Sequence, residues 1–207
     1  MKEIFIIRHG EAEHLVNGTG GGWVDTPLTK VGRDQSRRVA YRLKELVSDK
    51  PCDIYSSDLT RAHETATIIG SVLENNLSTS PLIRGLSLGI AGSMQKQDAE
   101  LVKHPISMPL FDWIPYQDAE SWAMMQDRVD SFMTMLCESR HDTSIIVTHG
   151  NSGVSVLYWL LGINRGLLTK LVKPSFQLDP CSLTHLIKKE ENKVRLVKIN
   201  DMSHINI

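Results

Sequence analysis

Hydrophobic positions along this chain follow two periods that alternate from the first residues onward. Ile4-Phe5-Ile6-Ile7 and Ile145-Ile146-Val147 are unbroken apolar runs rich in β-branched residues, the pattern of strands buried on both faces of a parallel sheet. Asp53-Ile54-Tyr55 reads as a third, shorter strand. Between these runs the spacing becomes helical. Thr29 is placed to cap a helix running to about Leu46, with Val31, Val39, Leu43 and Leu46 facing inward. Ser57 or Asp58 is expected to cap the next, which carries Ala62, Ala66, Ile69, Val72 and Leu73 on one face. From Glu120 a periodic stretch presents Trp122, Met125, Val129, Phe132, Met133 and Leu136, its methionines filling core space. A helix from Gly150 to Leu161 follows the second apolar run. The tail predicts a hairpin, Ser182–Ile187 and Val194–Ile199, turning near Glu191-Asn192. Strands alternating with helices predict an α/β fold. No repeat or low-complexity segment interrupts residues 1–207, which read as one domain. The stretch from about Gly85 to Asp118 is an irregular excursion over one edge of the sheet, broken by Pro105, Pro109 and Pro115. Its rings, Phe111, Trp113 and Tyr116, are expected to pack it down rather than line a substrate mouth.

Both long apolar runs end in the same dipeptide, His9-Gly10 and His149-Gly150. In open α/β sheets the chemistry gathers beyond the carboxyl ends of the strands, so the two histidines can share one site. Arg8 stands beside the first. Ser56-Ser57-Asp58-Leu59-Thr60-Arg61-Ala62 follows the third strand and opens a helix, putting Arg61 in its first turn. Free N–H groups there suit an anion, and a guanidinium adds a planar charged fork matched to phosphate oxygens. The pattern is that of a phosphate site with a histidine nucleophile.

Bulk properties narrow the partners. Lys+Arg is 23 against Asp+Glu 24, a net charge of −1, which leaves no footprint for nucleic acid or an anionic membrane. No apolar stretch approaches the roughly 20 residues of a membrane span. The start reads directly into a strand without a signal pattern, so a cytoplasmic location is expected. Cys52, Cys137 and Cys181 are odd in number and scattered; they read as small buried hydrophobes rather than a disulfide framework or zinc site. No metal-site spacing occurs and no cofactor is implied. The expected partner is a small phosphorylated substrate. The oligomeric state is left open, a homodimer included.

Taken together, Arg8-His9-Gly10-Glu11, Asp25-Thr26-Pro27-Leu28-Thr29 with Gly32 and Gln35, Ser57-Asp58-Leu59-Thr60-Arg61-Ala62 with Thr65-Ala66, and Thr148-His149-Gly150 resemble the histidine phosphatase superfamily. The branch is the phosphoglycerate mutase-like one. Glu120-Ser121 and Ile199-Asn200-Asp201 fit the same pattern, so the resemblance covers nearly the whole chain. It implies a three-layer α/β/α sandwich around a mostly parallel sheet. It also implies that His9 takes the phosphoryl group while Arg8, Arg61 and His149 hold its oxygens. Asn17, Thr19, Gly20 and Gly150 fall where the family contacts substrate. A ring nitrogen of His9 must attack, so the other should donate to a carbonyl in the Gly10 turn.

One departure stands out. Where the family supplies a glutamate to protonate the leaving oxygen, the stretch Leu82-Ile83-Arg84-Gly85-Leu86-Ser87-Leu88-Gly89 has Gly85. Glu120 is the first candidate to replace it, ahead of Glu11 and Asp112. Alternatively the leaving group needs no proton, or the domain binds phosphorylated ligands and turns over poorly. The reading is a metal-independent phosphatase acting through phospho-His9, with a phosphoglycerate mutase-like phosphomutase or a phospholigand-binding module as the alternatives.

Overall fold

The computed structural model describes residues 2–48, 50–139, 141–163, 165–168, 176–190 and 193–205. Six strands form one sheet: β1 (Lys2–Arg8), β2 (Cys52–Ser56), β3 (Leu77–Thr79), β4 (Thr143–Thr148), β5 (Leu183–Glu190) and β6 (Lys193–Asp201). Their order across the sheet is β3-β2-β4-β1-β5-β6. The first four are mutually parallel, and β5 and β6 add an antiparallel edge. The helices are α1 (Glu13–Val16), α2 (Lys30–Val47), α3 (Thr60–Leu73), α4 (Lys96–Leu101), α5 (Trp122–Cys137), α6 (Gly150–Leu160) and α7 (Arg165–Leu168).

The continuous apolar runs are explained by helices on both faces. Successive side chains of a strand point to opposite sides. Phe5, Ile7, Ile145 and Val147 therefore join Val39, Leu43, Ala62, Ala66 and Ile69 of α2 and α3. Ile4, Ile6 and Ile146 join Met125, Val129, Phe132 and Met133 of α5 and Val154 and Leu157 of α6. These two cores are the outer joints of an α/β/α sandwich, as expected.

Local signals place most helix starts. Thr29 Oγ1 accepts the Gly32 N–H at 3.0 Å, and Ser121 Oγ accepts that of Met124 at 3.2 Å. The α3 start differs from expectation. Its cap position is Leu59, without a side-chain cap of its own, and the service comes from far along the chain. The Asp25 carboxylate accepts the Thr60 N–H at 2.7 Å and the Thr60 hydroxyl at 2.6 Å. Val31 also departs from its predicted inward direction and is 52% exposed. The inward stripe of α2 runs instead through Gly32, Ser36, Val39, Ala40, Leu43 and Val47, because Gly32 is pressed against the Glu11 backbone.

Other differences are local. Strand β3 has three half-buried to exposed residues and one apolar side chain, too little pattern to read. Cys52 and Cys181 are buried, but Cys137 ends α5 on its exposed side. The predicted turn near Glu191-Asn192 lies outside the described residues. The excursion is more ordered than its prolines suggest, with two short 3-10 turns around α4. Its start crosses the carboxyl ends of the strands, since Gly85 lies against the His149 ring. Phe111 packs into the α5–α6 core, and Tyr116 closes a small cluster with Ala91, Ala99 and Ala119. The Trp113 indole N–H bonds the Pro105 carbonyl at 2.9 Å. No helix among the described residues is long and apolar enough to cross a membrane.

The remote cap gives a stability prediction. Asp25→Ala removes both acceptors at the α3 start and should cost about 1 kcal/mol. Thermal denaturation should show this as a Tm lowered by roughly 2–4 °C for a chain of this size. An unchanged Tm would mean that water serves Thr60 equally well.

Candidate active site

Strand register brings the site residues together. β1 and β4 pair with Arg8 opposite Thr148, so the residues that follow, His9 and His149, leave the sheet side by side. The His9 N–H continues the ladder to the Thr148 carbonyl at 2.8 Å. On the other flank of β4, Ser56 pairs with Val147, and Ser57 N–H reaches the Val147 carbonyl at 3.0 Å. Three neighbouring parallel strands thus deliver Arg8-His9, His149 and Ser57 to one end of the sheet. From Ser57 the chain turns into α3, which carries Arg61.

The His9 ring is buried, with the residue 2% exposed, and is fixed at one nitrogen. Its Nδ1 lies 2.7 Å from the Gly10 carbonyl, an acceptor only, so Nδ1 carries the proton and Nε2 keeps its lone pair. The turn that supplies this carbonyl is tightly braced. Gly10 N–H bonds Thr65 Oγ1 at 3.1 Å, and Thr65 in turn donates to the Arg61 carbonyl at 2.8 Å. A Cβ on Gly10 would stand 2.5 Å from the Gly32 carbonyl oxygen, which is why glycine occupies both places. Gln35 Oε1 accepts the Glu11 N–H at 2.9 Å, and Thr29 Oγ1 donates to the Glu11 carboxylate at 2.6 Å.

Around His9 the cationic groups each spend part of their hydrogen-bonding capacity on backbone carbonyls. Arg8 Nη1 donates to Leu178 at 2.6 Å. That loop is held by Asn200, whose Oδ1 accepts the Asp179 N–H at 2.7 Å. Arg61 donates to Val24 at 3.0 Å and Gly22 at 2.6 Å. His149 Nε2 lies 2.9 Å from Ser57 Oγ, and its ring centroid is 4.9 Å from that of His9. What remains is notable. Arg8 Nε, Arg61 Nε and His149 Nδ1 are buried without a hydrogen-bond partner among the described residues. All three belong to residues lining a cavity of about 190 Å3 with His9. Buried N–H groups left unpaired are rare and costly, and cationic or imidazole N–H donors of this kind suit an oxyanion.

Electrostatics suit a neutral nucleophile. Burial, then the positive charges of Arg61 and Arg8, holds the His9 pKa well below the usual imidazole value. His149 is lowered well below it by burial and the neighbouring cationic groups. Burial brings Arg61 down to about 10, which leaves it charged at neutral pH. The net field in the cavity is positive, and α6 adds the partial positive charge of its N-terminus, beginning at Gly150.

Of the residues expected at the site, Arg8, His9, Gly20, Arg61, His149 and Gly150 line the cavity together. Asn17 and Thr19 are not among its lining residues. Asn17 closes α1 through its N–H to the Glu13 carbonyl, and Thr19 bridges to Gln95 at the excursion. Glu120 is also elsewhere. Its carboxylate takes the Arg128 guanidinium in a two-pronged pair, at 2.9 Å on each oxygen, and accepts the Ser87 N–H at 2.9 Å. Arg128 meanwhile holds the Leu82, Arg84 and Gly85 carbonyls. The pair pins segment 82–87 over His149; it does not face the cavity. Lining residues missed from sequence include His14, Leu15, Leu86, Leu88 and Asn151. His14 sits on a four-residue helix, too short for any periodicity, so only its closeness to His9 in the chain could have drawn notice.

A model of the histidine phosphatase superfamily (branch 1) matches residues 4–202. The chain belongs to that superfamily. Among its relatives, a Hydrogenobacter thermophilus protein named "Putative phosphoserine phosphatase 2" is 29% identical over 209 residues, 99% of this chain and 98% of the relative. An Escherichia fergusonii protein named "Probable phosphoglycerate mutase GpmB" is 27% identical over 216 residues, 100% of this chain and 96% of the relative. The fold of this superfamily member is also that of a mycobacterial glucosyl-3-phosphoglycerate phosphatase solved with VO3. That match has a TM-score of 0.80 at 21% identity and covers 97% of this chain and 99% of the other.

The buried histidines make stability depend on pH. His9, His14, His149, His185 and His204 all have lowered pKa values in the folded protein, each with burial as the largest cause. Unfolded, they titrate near about 6.5. Below that pH the unfolded chain binds protons that the folded one refuses, so stability is full above it and falls as pH drops toward the folded values. For His14 that value is about 4. Tm should decline steadily from pH 6.5 to pH 5, before carboxylates titrate, and inorganic phosphate should blunt the decline. A flat Tm across this window would contradict the burial of neutral imidazoles.

Proposed function

We propose that the protein is a metal-independent phosphatase that hydrolyses a phosphate monoester through a phosphohistidine on His9. The observation that carries this reading is the trio of unpartnered buried donors, Arg8 Nε, Arg61 Nε and His149 Nδ1, gathered with the His9 ring in one cavity. Phosphoryl transfer passes through a loose transition state whose charge rests on the equatorial oxygens, so fixed donors and cations supply most of the catalysis. Two guanidiniums and an imidazole N–H provide them here. Ser57 Oγ donates to His149 Nε2 in this scheme, which puts the His149 proton on Nδ1, toward the substrate.

In the first step His9 Nε2 forms a bond to phosphorus as the ester P–O bond breaks. The proton stays on Nδ1, which donates it in a hydrogen bond to the Gly10 carbonyl, and that bond stabilises the positive charge gained by the ring. In the second, water attacks phosphorus as the N–P bond breaks; over the two steps one proton of that water ends on the leaving alcohol and the other on inorganic phosphate. Glu120 has no part in this chemistry, since both of its oxygens are occupied by Arg128 and Ser87.

The test is hydrolysis of an aryl phosphate without added metal, with rapid-quench detection of an acid-labile phosphoprotein. His9→Ala should abolish both turnover and phosphoprotein. Arg61→Ala should slow turnover by on the order of a hundredfold, the scale of losing one transition-state donor. Turnover retained in His9→Ala would overturn the mechanism. Phosphate binding without turnover on any monoester would favour a binding module, and transfer to a second hydroxyl of the substrate would favour a phosphomutase.

A further inference from the structure

Among the described residues, no carboxylate lines the cavity. Its titratable lining residues are Arg8, His9, His14, Arg61 and His149, and the phosphatase scheme above, on which this inference rests, uses all of them but His14. The position where the superfamily's acid was expected is Gly85. A Cβ there would stand 3.2 Å from the His149 ring, so the backbone runs too close to His149 to accept a side chain without a shift. A leaving alkoxide held in this cavity therefore has one unassigned group within it that can carry a proton to or from oxygen.

The His14 ring is built into place. It is 6% exposed, and its centroid lies 5.9 Å from that of His9. Its Nδ1 lies 2.9 Å from Thr26 Oγ1, which fixes the ring plane and leaves Nε2 as the working nitrogen. The opposite edge is accommodated by Gly21 alone: a Cβ there would meet Cδ2 at 2.4 Å and Nε2 at 2.9 Å. Gly21 also has φ +77°, a conformation that favours glycine. Two separate parts of the loop, Thr26 and Gly21, thus hold an imidazole on the cavity wall.

We infer that His14 is the acid–base residue of this enzyme, standing in for the missing carboxylate at Gly85. In the transfer step Nε2–H of the imidazolium gives its proton to the ester oxygen as the P–O bond breaks and the N–P bond to His9 forms. Neutral His14 then takes a proton from the attacking water as the O–P bond forms and the N–P bond breaks. One turnover returns both histidines to their starting states.

Charge control fits this cycle. Burial and the cations Arg61, Arg8 and Lys96 bring His14 to about 4; His9, which also faces it, is held neutral. A bound phosphate dianion places negative charge among the same groups and favours the imidazolium. His14 is thereby protonated with its substrate rather than before it.

The test compares wild type and His14→Gln on a series of phosphate monoesters, from 4-nitrophenyl phosphate to simple alkyl phosphates. Positioned acid–base groups contribute about 10²–10⁴-fold. Loss of kcat should reach on the order of a hundredfold or more for alkyl esters and stay below about tenfold for 4-nitrophenyl phosphate in the phosphoryl-transfer step. Wild-type kcat on alkyl esters should fall at alkaline pH as the His14 imidazolium is lost, and that fall should vanish in the variant. A Tm rise with inorganic phosphate, retained in His14→Gln, shows that the anion site is folded. Equal losses on every leaving group, with that Tm rise intact, would reduce His14 to shaping the cavity. A wild type inactive on every ester would instead count against the phosphatase reading, and phospho-His9 trapping separates that failure from this one.

Discussion

Parallel pairing of β1 with β4, and of β4 with β2, is the constraint on which this molecule depends. Parallel neighbours need crossover connections, and α2, α3 and α5 supply them while covering both faces of the sheet. That coverage is what makes Ile4 to Ile7 and Ile145 to Val147 apolar without interruption. The same pairing sets Arg8 against Thr148 and Ser56 against Val147. Nothing else is required to bring His9, His149 and the start of α3 to one end of the sheet.

Gathering this much positive charge in so small a space carries a cost that the structure distributes. Arg8 and Arg61 each give some donors to backbone carbonyls, which holds the guanidiniums in place without neutralising them. The histidines stay neutral through burial and repulsion. The donors left over, one each on Arg8, Arg61 and His149, have no hydrogen-bond partner among the described residues. An unpaired buried donor costs about 1–3 kcal/mol, a cost that a bound oxyanion would offset.

Segment 82–87 is held from several directions at once. Arg128 grips three of its carbonyls, Glu120 holds Arg128 and the Ser87 N–H, and the Trp23 indole donates to Gly85 at 2.8 Å. Arg84 and Arg128 lie over the Trp23 ring at 5.1 and 5.8 Å from its centroid. The segment is fastened as a wall. Glu120 looks available in sequence because it heads α5 next to the expected site. In three dimensions its charge is needed to balance Arg128, a demand that no local spacing reveals.

The sequence by itself determined the α/β alternation, the two doubly buried strands, the helix cap at Thr29, and the meeting of Arg8, His9, Arg61 and His149. Those features rest on short-range rules: side-chain period, cap chemistry, and the placement of residues at strand ends. The tertiary structure decided what depends on segments distant in the chain. Asp25 caps a helix that starts at Thr60, Gly32 sets the phase of α2 by touching Glu11, and His14 enters the cavity because Gly21 and Thr26 leave it one position. Contacts of that kind have no signature in local periodicity, because each is settled by the space that another part of the chain leaves open.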